Sequence, residues 1–95
     1  MFYERRIGSF EGVIGEAATM DADGGIRLSG KYEGESCYAF VTRFGSRFTV
    51  MIYEKKRGKL GRPGRRLMSE EVGGVDELKA ILRKVAPRKV LAYAY

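Results

Sequence analysis

Between Tyr38 and Arg66 the chain interleaves aromatic rings with fixed positive charge. Tyr38, Phe40, Phe44 and Tyr53 are mixed with Arg43, Arg47 and Lys55, and Lys56, Arg57, Lys59, Arg62, Arg65 and Arg66 follow closely. Exposed rings of this kind stack on nucleic-acid bases, each stack being worth about 1–3 kcal/mol, while Lys and Arg neutralise phosphates. The combination is that of a single-strand binding surface. A solvated hairpin decorated for solubility is the alternative for the charge, and a buried core the alternative for the rings.

Two strands and a tight turn would place these residues. Cys37 to Phe44 and Arg47 to Lys55 are rich in aromatic and β-branched residues, which suit a pleated sheet. Gly45-Ser46 between them suits a two-residue type II′ hairpin, whose first central position favours glycine. That register pairs Phe44 with Arg47, Thr42 with Thr49, Phe40 with Met51 and Tyr38 with Tyr53. Period-two alternation then puts Tyr38, Phe40, Phe44, Arg47, Met51, Tyr53 and Lys55 on one face. Cys37, Ala39, Val41, Phe48, Val50 and Ile52 fall on the other, which is expected to meet the core.

The charge is local. The chain of 95 residues carries a net +6, with 18 Lys+Arg and 12 Asp+Glu. Residues 1–42 are net −3, residues 67–95 are net +1, and residues 43–66 hold nine basic residues against Glu54 alone. A +8 block of that size implies a polyanion partner, nucleic acid before an anionic membrane surface.

Several chemistries are excluded or weakened. Without His there is no Ser-His or Cys-His pair and no imidazole ligand. One Cys makes neither an intrachain disulfide nor a thiolate zinc site, so Cys37 reads as a buried, inert thiol. Gly58-Lys59-Leu60-Gly61-Arg62-Pro63-Gly64 lacks the Gly-Lys-Ser/Thr ending of a phosphate-cradling loop. No metal or cofactor is expected, and a non-enzymatic role is. Asn and Gln are also absent. Their loss fits a protein of a hot organism, where thermolabile amides are scarce. It also removes the side chains that read adenine bidentately. No apolar run reaches the ~18–20 residues of a membrane span, and the reading is a soluble, cytoplasmic protein.

Outside the hairpin, Phe10 to Gly15 alternates like a strand, Asp21-Ala22-Asp23-Gly24-Gly25 is a turn, and Ile26 to Tyr32 is a strand. Arg65 to Met68 reads as a short strand, with Ser69-Glu70-Glu71 leading into a helix. Val75, Leu78, Ile81, Leu82 and Val85 line one helical face, Glu70, Glu71, Asp76 and Glu77 favour its start, and Pro87 closes it. Val90 to Tyr95 is either a final strand or a dimer contact. The expectation is one α+β domain over residues 1–95. A curved antiparallel sheet of four or more strands is followed by one C-terminal helix, with residues 1–36 a β-rich extension of unassigned pairing.

Arg43-Phe44-Gly45-Ser46-Arg47 with the following Phe48–Glu54 resembles the second hairpin of the positive cofactor four coactivator and whirly-like single-stranded DNA-binding family. Gly61-Arg62-Pro63-Gly64-Arg65-Arg66-Leu67-Met68-Ser69 and the helix after it are similar to that family's Pro-Gly-Arg-Lys-Gly stretch and helix. The resemblance covers residues 37–86. It implies a four-stranded sheet followed by a helix, a homodimer, and single-stranded DNA running along the sheet face. By position Phe44 and Arg47 match an aromatic-basic pair that contacts DNA, and Tyr53 matches a basic contact. Arg66 stands where the family has Gly, Lys56 where it has an aromatic residue, and residues 1–36 have no counterpart. The resulting expectation is a dimeric binder of single-stranded DNA with little sequence specificity, protecting DNA or assisting transcription. An RNA-binding subunit, or a protein-interaction module using the same face, is the alternative.

Overall fold

The computed structural model describes residues 5–22, 24–55, 64–85 and 90–95. In chain order the elements are β1 (Arg5–Ile7), α1 (Phe10–Thr19), β2 (Gly25–Tyr32), β3 (Glu35–Phe44), β4 (Arg47–Glu54), β5 (Arg66–Val72), α2 (Val75–Arg83) and β6 (Leu91–Ala94). The six strands form one open antiparallel sheet in the order β1-β6-β2-β3-β4-β5. The class is α+β, with more of the described chain in sheet than in helix.

The middle of the sheet is a meander. Strands β2 and β3 are joined by Glu33-Gly34, both at positive φ (50° and 83°), as a type I′ hairpin requires. Glu33 holds that left-handed conformation without the relief glycine has. Strands β3 and β4 are joined by Gly45-Ser46, with Gly45 at φ 62° and Phe44 opposite Arg47. The expected register is found at every pair from Tyr38–Tyr53 to Phe44–Arg47.

Both flanks are crossovers. The chain leaves β1, forms α1 and returns in β2, with β6 inserted between; it leaves β5, forms α2 and returns in β6. Each crossover links two strands of the same direction. The second runs in the opposite strand direction and the opposite lateral direction to the first. A common handedness, right-handed by the usual rule, therefore sends both helices to the same face.

Helix α1 corrects the strand expected over Phe10–Gly15. Ser9 is extended (φ −140°, ψ 155°) and its Oγ accepts from the Gly12 N–H at 3.0 Å, an N-cap. Val13 and Ala17, one turn apart, are fully buried. The two internal glycines cost about 1 kcal/mol each in propensity, so packing of this face holds the helix. Gly12 serves that packing: a Cβ there would lie 2.8 Å from Ile7 Cγ2. The expectation of a single C-terminal helix is corrected accordingly to two helices among the described residues, and the described part of residues 1–36 is α and β rather than β-rich.

At the other end, Ser69, Glu70 and Glu71 belong to β5 and not to the helix start. Only Asp76 and Glu77 lie in the first turn of α2, where Glu77 accepts from the Gly73 N–H at 3.1 Å. Pro87 lies outside the described residues. Val90–Tyr95 supplies β6, an interior strand between β1 and β2.

The core lies between the sheet and the helices. Ile26, Leu28, Cys37, Ala39, Val41, Phe48, Val50, Ile52, Ala92 and Ala94 meet Val13, Ala17, Leu78 and Leu82 there. Gly30 lets the end of α2 lie on β2. The Lys31 N–H donates to the Val85 carbonyl at 3.1 Å, and a Cβ on Gly30 would sit 2.1 Å from that oxygen.

Candidate nucleic-acid interface

Because α1 and α2 pack on one side, no helix among the described residues covers the opposite face of the sheet. Every buried apolar strand residue points to the helix side, so the alternate positions form the open face. The strand registers lay these out in rows. One row runs Arg6–Tyr93–Arg27–Phe40–Met51–Ser69 across all six strands. Beside it lie Ser29–Tyr38–Tyr53–Arg66, and on its other side Gly25–Thr42–Thr49–Glu71. Phe44 and Arg47 end the face at the β3–β4 turn.

The rings on this face pack on one another. Phe40 meets Tyr53 edge-on, with centroids 5.9 Å apart at 75°, and meets Tyr38 at 6.4 Å and 52°. The Tyr53 hydroxyl approaches Met51 Sδ at 3.8 Å. These contacts leave Tyr38, Phe40 and Tyr53 half-buried, with no helix of the described residues above them. Phe44 differs, being 82 % exposed. Tyr95 is held over Gly25, where a Cβ would be 2.7 Å from its ring, and it remains 41 % exposed.

Cations lie among the rings. The Arg27 guanidinium sits 5.1 Å from the Tyr93 centroid and 5.9 Å from that of Tyr38, and Lys55 Nζ is 4.9 Å from Tyr38. Tyr38 thus carries two cations. Such contacts at exposed sites are worth about 0.5–1 kcal/mol, less than the ~1–3 kcal/mol of a base on an aromatic ring. A base can therefore take the ring and leave the cation for its phosphate or its edge. Arg6, Arg27, Lys31, Arg47 and Lys55 are the described basic residues that alternation puts on the face, and Glu71 is its described acid. Arg47 bonds Glu71 through an exposed ion pair, worth at most about 1 kcal/mol.

Of the residues expected from sequence, Tyr38, Phe40, Phe44, Arg47, Tyr53 and Lys55 come together on this face. Arg66 pairs with Tyr53 across a β-bulge that interrupts the alternation of β5, and it lines the cleft beside Glu33 and Glu35. Arg65 is exposed just before β5, its N–H donating to Glu54 Oε1 at 3.0 Å. Lys56, Arg57, Lys59 and Arg62 lie outside the described residues. Arg43 departs from the set. It lies on the helix side opposite Phe48, 5.8 Å over that ring, and donates to the Met20 carbonyl at 3.0 Å and the Gly45 carbonyl at 2.9 Å. It ties the hairpin to the C-terminal end of α1, where a cation is favoured by the helix dipole.

Arg6, Arg27, Tyr93 and Tyr95 were not anticipated. Tyr93 and Tyr95 reach the face because β6 inserts beside β2, Arg6 because β1 pairs with β6, and Arg27 through its pairing with Phe40 across β2 and β3. Their signal is in the sequence: Ile26 and Leu28 alternate with Arg27, and Ala92 and Ala94 alternate with Tyr93 and Tyr95.

No protein-family model matches the chain, and neither a curated protein nor a solved structure does. The site is therefore read from its own groups. Among the described residues no three of Cys, Asp and Glu gather to hold a metal ion. Burial pushes the Cys37 thiol up from its ordinary value, against a smaller lowering by Lys55, which disfavours the reactive thiolate. A shallow cleft of about 300 Å³ at the β2–β3 end mixes Glu33 and Glu35 with Arg65 and Arg66, so it is not a concentrated anion site. No helix among the described residues is long and apolar enough to cross a membrane.

Proposed function

We propose that this chain is a non-enzymatic binder of single-stranded nucleic acid that uses the open face of its sheet. The observation that carries the reading is the placement of Tyr38, Phe40, Phe44, Tyr53, Tyr93 and Tyr95 with Arg6, Arg27, Lys31, Arg47 and Lys55 on a face that no helix among the described residues covers. Bases stack on the rings while Arg27, Lys55, Arg47 and Arg66 meet phosphates, a largely sequence-tolerant mode. A duplex hides its base faces and would leave the rings unused. Of the two helices, α1 has no basic residue in its last turn, and α2 buries Leu78 and Leu82, so both act as packing elements rather than groove readers.

Deoxyribose over ribose, a homodimer, and a role in protecting DNA or assisting transcription are the further parts of this proposal. They rest on the resemblance of residues 37–86 to the positive cofactor four family. Fluorescence anisotropy with labelled 12-mers tests the reading. Single-stranded DNA is expected to bind at least about tenfold tighter than the matched duplex. The affinity should fall with salt at a slope near −0.7 per phosphate neutralised. Absence of binding at low salt, or tighter duplex binding, overturns it. Competition with the matched RNA strand tests the sugar preference.

The exposure of Phe44 and Tyr95 favours one second reading, a face that binds protein. Joint replacement of Phe44 and Tyr53 by Ala separates the two. Loss of oligomer with retained oligonucleotide binding supports the protein interface; loss of oligonucleotide binding supports the nucleic-acid reading.

A further inference from the structure

We propose that neighbouring copies of this chain join edge to edge along one nucleic-acid strand, β1 of one copy pairing with β5 of the next, so that binding is cooperative. The inference rests on the single-strand reading above and states how successive copies share that strand. An open sheet ends in two edges, and among the described residues no strand pairs with the outer side of β1 or of β5. Each edge therefore offers backbone N–H and C=O groups to a further strand. The two edges carry opposite charge: β1 contributes Arg5 and Arg6, and β5 contributes Glu70 and Glu71. Pairing β1 with a second β1, or Glu70-Glu71 with the same segment of a second β5, sets like charges together, which is unfavourable. Pairing β1 with β5 sets unlike charges together and links copies head to tail.

The topology admits that contact without turning a copy over. Every neighbouring pair of strands is antiparallel, so β1 and β5 run in opposite directions. A second β1 beside β5 continues the ladder with the same face open. Alternation then selects the register. Arg6 lies opposite Tyr93 and Ser69 opposite Met51, on the open face, whereas Arg5, Ile7, Met68 and Glu70 lie on the helix side. Setting Arg6 against Ser69 puts Arg5 against Glu70, and the buried Ile7 against the half-buried Met68. Arg5 then stands between Glu16 of its own α1, to which it is already bonded, and Glu70 of the next copy. Arg66 lies beyond the bulge, outside this pairing. In the same register the row that begins at Arg6 and ends at Ser69 resumes at Arg6 of the next copy, so one strand crosses from sheet to sheet. Sheet twist, roughly 20–25° per strand, makes the assembly helical. Three residues of ladder form a weak contact, which is felt when a shared strand holds two copies close.

Native mass spectrometry with a dT 24-mer separates the first copy bound from the second. After statistical correction the second is expected to bind about tenfold tighter, the scale of a few cross-strand pairs. Glu70→Arg sets a cation against Arg5 and should abolish that advantage, while the first copy binds at least as tightly, since Glu70 lies on the helix side. Arg5→Glu combined with Glu70→Arg restores opposite charges at the parent's net charge and should recover the advantage. Cross-linking gives a second route if the double variant fails to fold by circular dichroism. With Cys37→Ala, Arg5→Cys and Glu70→Cys in one chain, a bismaleimide should link copies on the 24-mer, and no link overturns the pairing. A second copy of the parent that binds no tighter than the first, a Glu70→Arg protein that keeps the advantage, or a folded double variant without it also overturns the inference and leaves the single-strand reading standing. Failure of the first copy to bind overturns that reading itself.

Discussion

On one side of the sheet Ile26, Leu28, Ala39, Val41, Val50 and Ile52 are wholly excluded from solvent beneath α1 and α2. On the other, Tyr38, Phe40 and Tyr53 pack on one another, on Met51 and on cations, and Phe44 stands 82 % exposed. Both faces come from the same strands, residue by alternate residue. The helix side uses small aliphatic groups, so the helices approach closely, and Gly30 even admits a backbone carbonyl. The open side uses large rings where a stability-driven surface would use short polar groups. Rings left half-buried forgo part of the ~1.5–3 kcal/mol that full burial of a large apolar side chain gives. A ligand that covers them recovers it.

If the faces are separable in this way, substitutions should move stability or affinity but seldom both. The largest effect is expected from Leu82→Ala, which empties a wholly buried position of α2. Chemical denaturation should show a loss of about 2–5 kcal/mol, with oligonucleotide affinity unchanged in the folded fraction. Gly30→Ala comes next. Its Cβ would meet the Val85 carbonyl oxygen, a backbone atom that cannot rotate away, and a loss of about 1–3 kcal/mol is expected. A Gly30→Ala protein as stable as the parent would mean that α2 does not seat on β2 as described.

Phe40→Ala tests the open face at its centre. A loss of about tenfold in single-strand affinity is expected by anisotropy, within the range of one base–ring stack. Arg43→Ala is the contrast. It should lower the melting temperature by loosening the hairpin from α1, at little cost in affinity. The smallest effect concerns Cys37. Folded and unfolded thiols are equally protonated below the ordinary thiol value of about 9.0, and burial raises the folded one. Above that pH the unfolded thiol ionises first, so stability falls as pH rises toward the folded value. Cys37→Ala should flatten that alkaline decline, and the native thiol should react with an aromatic disulfide reagent only on unfolding.

The central hairpin was legible because its turn is local. Gly45-Ser46 sets the register, and the register sets both faces. Helix α2 was legible from its apolar spacing, as were strands β2 and β5 in outline. Helix α1 was not, because Phe10-Glu11-Gly12-Val13-Ile14-Gly15 has strand-like alternation and two poor helix formers. Only the Ser9 cap and the burial of Val13 and Ala17 against the sheet decide it. The site was half legible for a related reason. Tyr38, Phe40, Phe44 and Tyr53 follow from one hairpin. Arg27 follows from the β2–β3 pairing, whereas Tyr93 and Tyr95 depend on where β6 inserts, a long-range pairing that no local pattern specifies. Arg43 was grouped with its basic neighbours, yet strand alternation alone places it opposite Phe44 and Tyr38.

The most direct test of the two-sided account is an NMR titration with a 12-mer of dT, following side chains. The account predicts that ring protons of Tyr38, Phe40, Tyr53 and Tyr93 shift upfield as bases stack on them, while methyl signals of Ile26, Val50, Leu78 and Leu82 stay in place. Shifts confined to the methyl groups or to the helices, with the four rings unmoved at saturation, would contradict it.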